Sequence, residues 1–341
     1  MRIGLAGLPQ SGKTTVLKLF AGGHIGHSEN MAMIKLPDPR LLKIAEIVNA
    51  AKTTFVEFEL YEPQGNIAKG GAVFSDLQGA YGLVIVIRGF DGGFGAPQIL
   101  EDAQNLKDLM ILYDAGAVET RMGSLEAEIK KGRTQQERDQ MTRDLHTLEK
   151  FAKTLSDGGL IRNLELSDDE KKLARNQGLM TAKPWFVVIN TEDEADIPQA
   201  QDVKQTLSAE VAVLPAKLLM ELAELPADEA TAFYEDMGLS PDIVGRTIRR
   251  MIESFGFIEF YTGNEKEARA WLIPKGTTAL GCAEKIHSDI ARGFIRAEVI
   301  SFEDFVAAGG YAQARAKALL RAEGKDYIVR DGDYLAIKFN V

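Results

Sequence analysis

A chain of 341 residues is longer than one hydrophobic core usually serves, and its 45% hydrophobic content is that of a folded protein with more than one domain. A net charge of −10 argues against bulk DNA binding, because an acidic surface repels phosphates. The apolar run at 82–87 is far short of the roughly 20 residues a membrane span needs, the amino end lacks a signal-peptide pattern, and Cys282 is the single cysteine; the expectation is a cytoplasmic protein without membrane partner, internal disulfide or multi-cysteine metal site.

The first element is a short apolar strand at 2–6 ending in Gly7, followed by "GLPQSGKTT" (7–15) and a helix carrying Val16, Leu17 and Phe20 at helical spacing. Gly7-x4-Gly12-Lys13-Thr14 between a strand and a helix is the phosphate-loop pattern. Backbone N–H groups wrap the phosphates, the lysine neutralises their charge, and the threonine hydroxyl ligates magnesium. The helix adds its positive dipole end. Pro9, Gln10, Ser11, Gly12, Lys13, Thr14 and Thr15 are therefore the expected phosphate cradle. Lys13 is the residue expected to carry any catalysis, and Thr14 one expected metal ligand.

Strands are predicted again at 55–60, 83–87 and 185–189, alternating with helical patterns, which implies a mainly parallel α/β sheet covered on both faces. Between the last two, Val118, Met122, Leu125 and Ile129 step by 4, 3, 4. After Gly132, Met141, Leu145, Leu148, Ala152 and Leu155 step by 4, 3, 4, 3, which predicts an antiparallel coiled-coil hairpin. After Phe255, short apolar runs at 257–261, 270–273, 297–300, 327–329 and 335–339 alternate with helical stretches around 279–290 and 312–320, a small α+β domain. Lys and Arg nearly balance Asp and Glu over 114–178 (12 against 13) and 257–341 (12 against 12), leaving 16 against 25 elsewhere.

Base recognition is expected at the end of a later strand, where Asn190-Thr191-Glu192-Asp193 follows 186–189. The Asn side chain can bridge loops while the acid or nearby backbone meets the base, and Ala216-Lys217 can form the opposite wall. On its own Asn-x-x-Asp also fits an ordinary turn. Threonine stands where a GTPase carries the lysine of Asn-Lys-x-Asp.

With these residues assembled, the chain resembles the YchF-type Obg-like ATPases along nearly its whole length. The resemblance is carried by "LPDPRL" (36–41), "MTAKP" (180–184), "EARAWLIPKGTTA" (267–279), "KIHSDIARGFIRAEVISFEDF" (285–305) and "RAEGKDYIVRDGDYLAIKFNV" (321–341). It implies a P-loop nucleotide-binding domain from 1–113 and 179–256, an inserted helical hairpin at 114–178, and a ubiquitin-like TGS domain at 257–341. It also implies ATP over GTP, Mg2+, and a ribosome or a translation-associated protein as partner. Asn190, Thr191 and Asp193 match the family's base-reading positions, with Asp in place of Glu.

The departures from that family concern turnover. The first switch segment is shorter, and "GGHIGHSENMAMIK" (22–35) holds no threonine for magnesium. Glu62-Pro63-Gln64-Gly65 replaces the family's Asp-x-Ala-Gly, so Glu62, one methylene longer, is the second candidate metal ligand, against an ordinary strand-end role. Asn66 stands where the family carries a hydrophobic residue and Ras-like proteins a water-positioning glutamine. The expectation is a nucleotide-binding regulator whose ATP hydrolysis is slow or lost. The alternative is a non-hydrolysing scaffold that holds its nucleotide as a structural ligand.

Overall fold

The computed structural model describes residues 1–23, 30–93, 96–131, 134–193 and 196–340. In chain order the elements begin with β1 (Arg2–Ala6), α1 (Lys13–Phe20), β2 (Met31–Lys35), α2 (Pro39–Ile47), β3 (Thr53–Thr54), β4 (Glu57–Tyr61), α3 (Ala72–Gln78) and β5 (Gly82–Gly89). They continue through α4 (Ile99–Ile129), α5 (Gln135–Ser156), α6 (Asp168–Asn176), β6 (Trp185–Thr191), α7 (Ala200–Leu207), β7 (Glu210–Leu214), α8 (Ala216–Ala223), α9 (Ala227–Asp236) and α10 (Ile243–Ser254). The remainder is β8 (Phe257–Gly263), β9 (Ala268–Pro274), α11 (Ala279–Ile286), α12 (Ser288–Arg292), β10 (Phe294–Ser301), α13 (Phe302–Ala308), α14 (Tyr311–Ala316), β11 (Arg321–Glu323) and β12 (Asp333–Phe339).

Two compact units emerge, one from Met1–Ile34 and Glu59–Val244, the other from Lys35–Phe58 and Gly245–Val341. The division differs from the three parts expected from sequence. Residues 35–58 and 245–256 join the carboxy-terminal unit, and the helical hairpin stays with the first.

The first unit is built on a six-stranded sheet in the order β2-β4-β1-β5-β6-β7. The pairings β1 with β4, β1 with β5, β5 with β6 and β6 with β7 are all parallel. Parallel strands carry helices on both faces, and the central strands accordingly read as unbroken apolar runs: 83–87 and 185–189 are wholly buried. From β1 the chain goes to β4 on one side and then to β5 on the other. That reversal places a crevice beyond the carboxyl end of β1, where ligands of such sheets sit. The strand expected at 55–60 is in fact two pieces, because Thr53–Thr54 pairs with β9 in the other sheet while β4 starts at Glu57. Between them the Val56 carbonyl accepts from the Leu36 amide (2.9 Å), a break in the strand that apolar Phe55 and Val56 conceal in the sequence.

Helix α4 does two jobs along one rod. Ile99, Ala103, Leu106 and Met110 pack into the sheet's core, whereas Val118 and Leu125 pack with Leu148, Phe151 and Leu155 of α5. Asp114 sits fully buried where the two clusters meet, accepting from the Met180 amide (2.8 Å), the Thr181 amide (2.7 Å) and the Thr181 hydroxyl (2.6 Å). The expected hairpin boundary at 114 thus falls inside a continuous helix. A capping box between Thr134 and Glu137 starts α5, and Ser167 with Glu170 does the same for α6. Gly132, the expected hairpin turn, lies outside the described residues.

In the second unit the sheet order is β11-β10-β12-β8-β9-β3. Antiparallel pairs β10–β11, β10–β12 and β8–β9 are joined by the parallel pairs β12–β8 and β3–β9. Phe260, Ile273, Val299 and Leu335 form its core around the buried Cys282. The run at 327–329 is not a strand: Ile328 makes only an isolated bridge to Thr278, because the Tyr327 carbonyl accepts from Ala279 (2.8 Å) and the Val329 amide donates to Thr277 (3.0 Å). Helical residues 279–290 break at extended His287, whose Nδ1 caps α12. The helix expected over 312–320 stops at Ala316, and Ala318 takes φ 54°.

"PDPR" belongs to this unit. Asp38 caps α2 through the Arg40 amide (2.9 Å) and accepts from the Tyr261 hydroxyl, while Arg249 reaches Glu259 (3.0 Å) and the Pro37 carbonyl. Burial, with Asp38 nearby, pushes Glu259 up to about 8 against the pull of Arg249 and Arg40. The motif thus serves a buried ionic core of the second unit.

Candidate phosphate-binding site

The loop between β1 and α1 has the backbone that its glycines demand. Gly12 adopts φ 87°, and a Cβ there would lie 2.1 Å from Asn190 Nδ2; at Gly7 one would lie 2.5 Å from the Val86 carbonyl oxygen. Both positions require the absent side chain. Gln10 also takes a left-handed φ of 65°. The first helical bond of α1 runs from the Val16 amide to the Gly12 carbonyl (3.0 Å), so the preceding amides of the first turn are the donors an anion takes up. The buried Ser11 hydroxyl has no hydrogen-bond partner among the described residues.

Lys13 and Thr14 face one carboxylate. Lys13 Nζ donates to the carbonyls of Gly7 (3.2 Å) and Leu8 (3.0 Å) and lies 4.0 Å from Glu62 Oε1. Burial draws the Lys13 pKa down, and Glu62 opposes that shift. The Thr14 hydroxyl donates to Glu62 Oε2 at 2.6 Å. The two residues expected to hold a metal are therefore in direct contact. A threonine hydroxyl and a carboxylate are hard oxygen donors of the kind Mg2+ takes alongside phosphate and water oxygens, so the donor set fits. When bound, that ion would offset phosphate charge. Thr14 and Glu62 would hold it in exchange for their mutual bond, while Lys13 and the loop amides bind and orient the phosphates.

Asn190 is brought to the loop as a clamp. Its Nδ2 donates to the Ser11 carbonyl (3.2 Å) and its Oδ1 accepts from the Ala216 amide (3.2 Å), tying the phosphate loop to the start of α8. Thr191 is buried at the end of β6, while Asp193 is exposed on the turn that follows. Ala216 is fully buried, and Lys217 is exposed and lies 3.9 Å from Glu221. Pro9 and Gln10 are exposed on the loop, and Thr15 is half-buried. The Asn66 side chain accepts from the Ala68 amide (2.9 Å), capping the turn Ile67–Lys69. Its oxygen is thereby occupied locally. Residues 24–29 of the segment read as the first switch, His24 and His27 among them, lie outside the described residues.

Two contributors escape a motif search. Phe90 borders the loop, with its Cε1 3.7 Å from where a Gly12 Cβ would stand, and Arg88 fastens the same turn by donating to the carbonyls of Phe90 (3.0 Å) and Asp91 (3.2 Å). The only signal for them is "RGF" closing the apolar run at the carboxyl end of β5.

A glycine loop, lysine and threonine at the switch point of a parallel α/β sheet define a P-loop NTPase-type protein. Comparison with known proteins narrows the class. A family model named YchF-GTPase_C, described as a protein of unknown function (DUF933), matches residues 257–340. The ribosome-binding ATPase YchF of Bacillus subtilis (strain 168) is 31% identical over 99% of this chain and 99% of its own. The protein of the same description from Escherichia coli O157:H7 is 30% identical over 100% and 99%. The solved YchF GTPase of Schizosaccharomyces pombe superposes with a TM-score of 0.85 at 20% identity, covering 99% of this chain and 97% of that one. The chain belongs to the YchF family.

Proposed function

We propose that this protein binds a nucleotide at the 9–15 loop, prefers ATP to GTP, associates with the ribosome and hydrolyses its nucleotide slowly. The observation that carries the reading is the Lys13–Thr14–Glu62 constellation at the first turn of α1. The Bacillus subtilis and Escherichia coli relatives are described as ribosome-binding ATPases, which supports the partner and the base. For the base site, Asn190 holds the two loops in place. Thr191, Asp193 and the Ala216–Lys217 segment are the residues we assign to the base, and no lysine follows Asn190 to pack on a guanine. The slow-hydrolysis reading is supported by the lack of a threonine in 22–35 and by the use of Asn66 as a turn cap: phosphoryl transfer is chiefly positioning and charge neutralisation, and a site short of a magnesium ligand and a water-orienting group forfeits much of its rate acceleration. The helices α4 and α5, read as a coiled-coil arm over 114–178, and a TGS domain over 257–341 are the parts assigned to the macromolecular partner. The nucleotide domain, expected over 1–113 and 179–256, is assigned to the parts of those segments outside 35–58 and 245–256, which fall in the second unit.

The test is a competition between ATP and GTP for a fluorescent ATP analogue with Mg2+, with phosphate release followed on the same sample. ATP should displace the probe at lower concentration than GTP, and phosphate release should be slow or undetectable. Clear GTP preference, or turnover of many molecules per minute, contradicts the reading. A nucleotide that survives gel filtration and resists exchange supports the scaffold alternative instead.

A further inference from the structure

At the opposite end of the same sheet, beneath the amino ends of β1, β5 and β6, lies a cavity of about 510 Å3 with an unusual lining. Arg2, Arg162, Lys171, Arg175 and Lys183 line it, and among the described residues no carboxylate does, in a chain of net charge −10. Its walls are apolar, with Leu164, Leu166, Leu179 and Pro184 among them.

The five cations differ in how far their charge is already met. Arg2 pairs with Glu59 (2.5 Å) and lies 4.5 Å over the Tyr61 ring, and Lys171 lies 3.5 Å from Asp168. Lys183 donates to the carbonyls of Gln78 (2.8 Å) and Ala80 (2.7 Å); burial draws its pKa down to about 8 against the pull of buried Asp114. Arg162 stacks 3.9 Å over Trp185 and gives Nη2 to the Leu207 carbonyl, yet its Nη1 is buried with no partner among the described residues. Burial draws the Arg162 guanidinium down to about 9. Arg175 is exposed on α6, and its charge reaches Tyr81.

We propose that this cavity binds a small phosphomonoester, a phosphate dianion carried on an apolar or aromatic body. The volume lies in the range of small-molecule sites and excludes a folded partner. The guanidinium groups of Arg2, Arg162 and Arg175, with the ammonium groups of Lys171 and Lys183, match the multidentate demand of a phosphate dianion better than that of a single carboxylate. The apolar walls take the body that bears it. The site is separate from the phosphate loop, which stands at the carboxyl ends of these strands, and the inference does not depend on the nucleotide reading.

The test uses the full chain with the phosphate loop saturated by AMP-PNP and Mg2+, titrated with 4-methylumbelliferyl phosphate and followed by fluorescence. Saturable binding at one site is expected. 4-Methylumbelliferone, which lacks the phosphate, should bind at least tenfold more weakly. Arg175→Ala and, separately, Lys171→Ala change exposed side chains of α6, so the fold and ATP affinity should persist. Arg175→Ala should weaken the probe tenfold or more, Lys171→Ala less, and Arg175→Lys should restore part of the loss. Absent binding to the wild-type chain, equal affinity for the phosphate and the parent phenol, or an unchanged affinity in Arg175→Ala would each overturn the proposal.

Discussion

The two ends of the six-stranded sheet treat charge in opposite ways. At the carboxyl ends, Lys13 is folded onto two loop carbonyls with Glu62 beside it, and attraction for an anion resides in backbone amides and the start of α1. At the amino ends, side chains supply the charge: five cations surround a cavity, and one guanidinium nitrogen is left without an acceptor among the described residues. A backbone site depends on loop shape, so it should fail when shape is disturbed and tolerate loss of one charge better. A side-chain site should respond in the reverse sense.

The largest effect expected at either end concerns Asp114, the buried acid nearest the basic cavity's Lys183. Asp114→Ala leaves three buried donors of Met180 and Thr181 without an acceptor and should cost about 3–5 kcal/mol of stability in urea unfolding. Nucleotide affinity of the folded fraction should change little. A cost under about 1 kcal/mol would mean these donors find other acceptors.

Gly12→Ala should come next, and at the other end. Left-handed φ costs a side chain about 1–3 kcal/mol, and the collision with Asn190 adds overpacking of similar size. Nucleotide affinity should fall about 100-fold, on the order of 3 kcal/mol. Calorimetric titration of ATP measures it, and phosphomonoester binding at the amino end should be untouched. Coupled loss at both ends would erase the distinction between them.

A smaller effect is the pH dependence that Asp114 confers. Burial pushes it up to about 6 from an ordinary 3.8, against its hydrogen bonds and Lys183. Because the folded value is the higher one, its contribution is fully present below pH about 4 and is lost as pH rises through about 6. Asp114→Asn removes that titration. The difference in urea midpoint between the variant and the wild-type chain should therefore shift in the variant's favour between about pH 4 and pH 7, and a constant difference would remove Asp114 as its source.

Local chemistry was legible in the sequence, and long-range pairing was not. Gly7-x4-Gly12-Lys13-Thr14 is contiguous, its spacing encodes its backbone, and the helix and strand beside it carry their own apolar periods. Glu62 was readable only through its place in the family pattern; its bond to Thr14 spans 48 positions and leaves no periodic trace. A loop-bridging Asn190 was readable in kind, but its partners Ser11 and Ala216, like the position of Phe90, depend on how strands align. The run at 327–329 looked like a strand because Tyr-Ile-Val favours the extended backbone, yet its amides and carbonyls are spent on the start of α11. The basic cavity was invisible for the same reason: Arg2, Arg162, Arg175 and Lys183 come from separate stretches whose overall charge is near balance or acidic. The division at 35–58 was hidden too, since "PDPR" serves a buried ion network whose partners lie beyond residue 248.

The most direct test of the account is one titration of a fluorescent ATP analogue with Mg2+ into the wild-type chain and Lys13→Ala, both checked for native fold. A charged hydrogen bond to phosphate is worth about 1.5–3 kcal/mol, so the variant should bind tenfold or more weakly. Equal affinity in the two proteins would place the nucleotide outside the 9–15 loop and contradict the account.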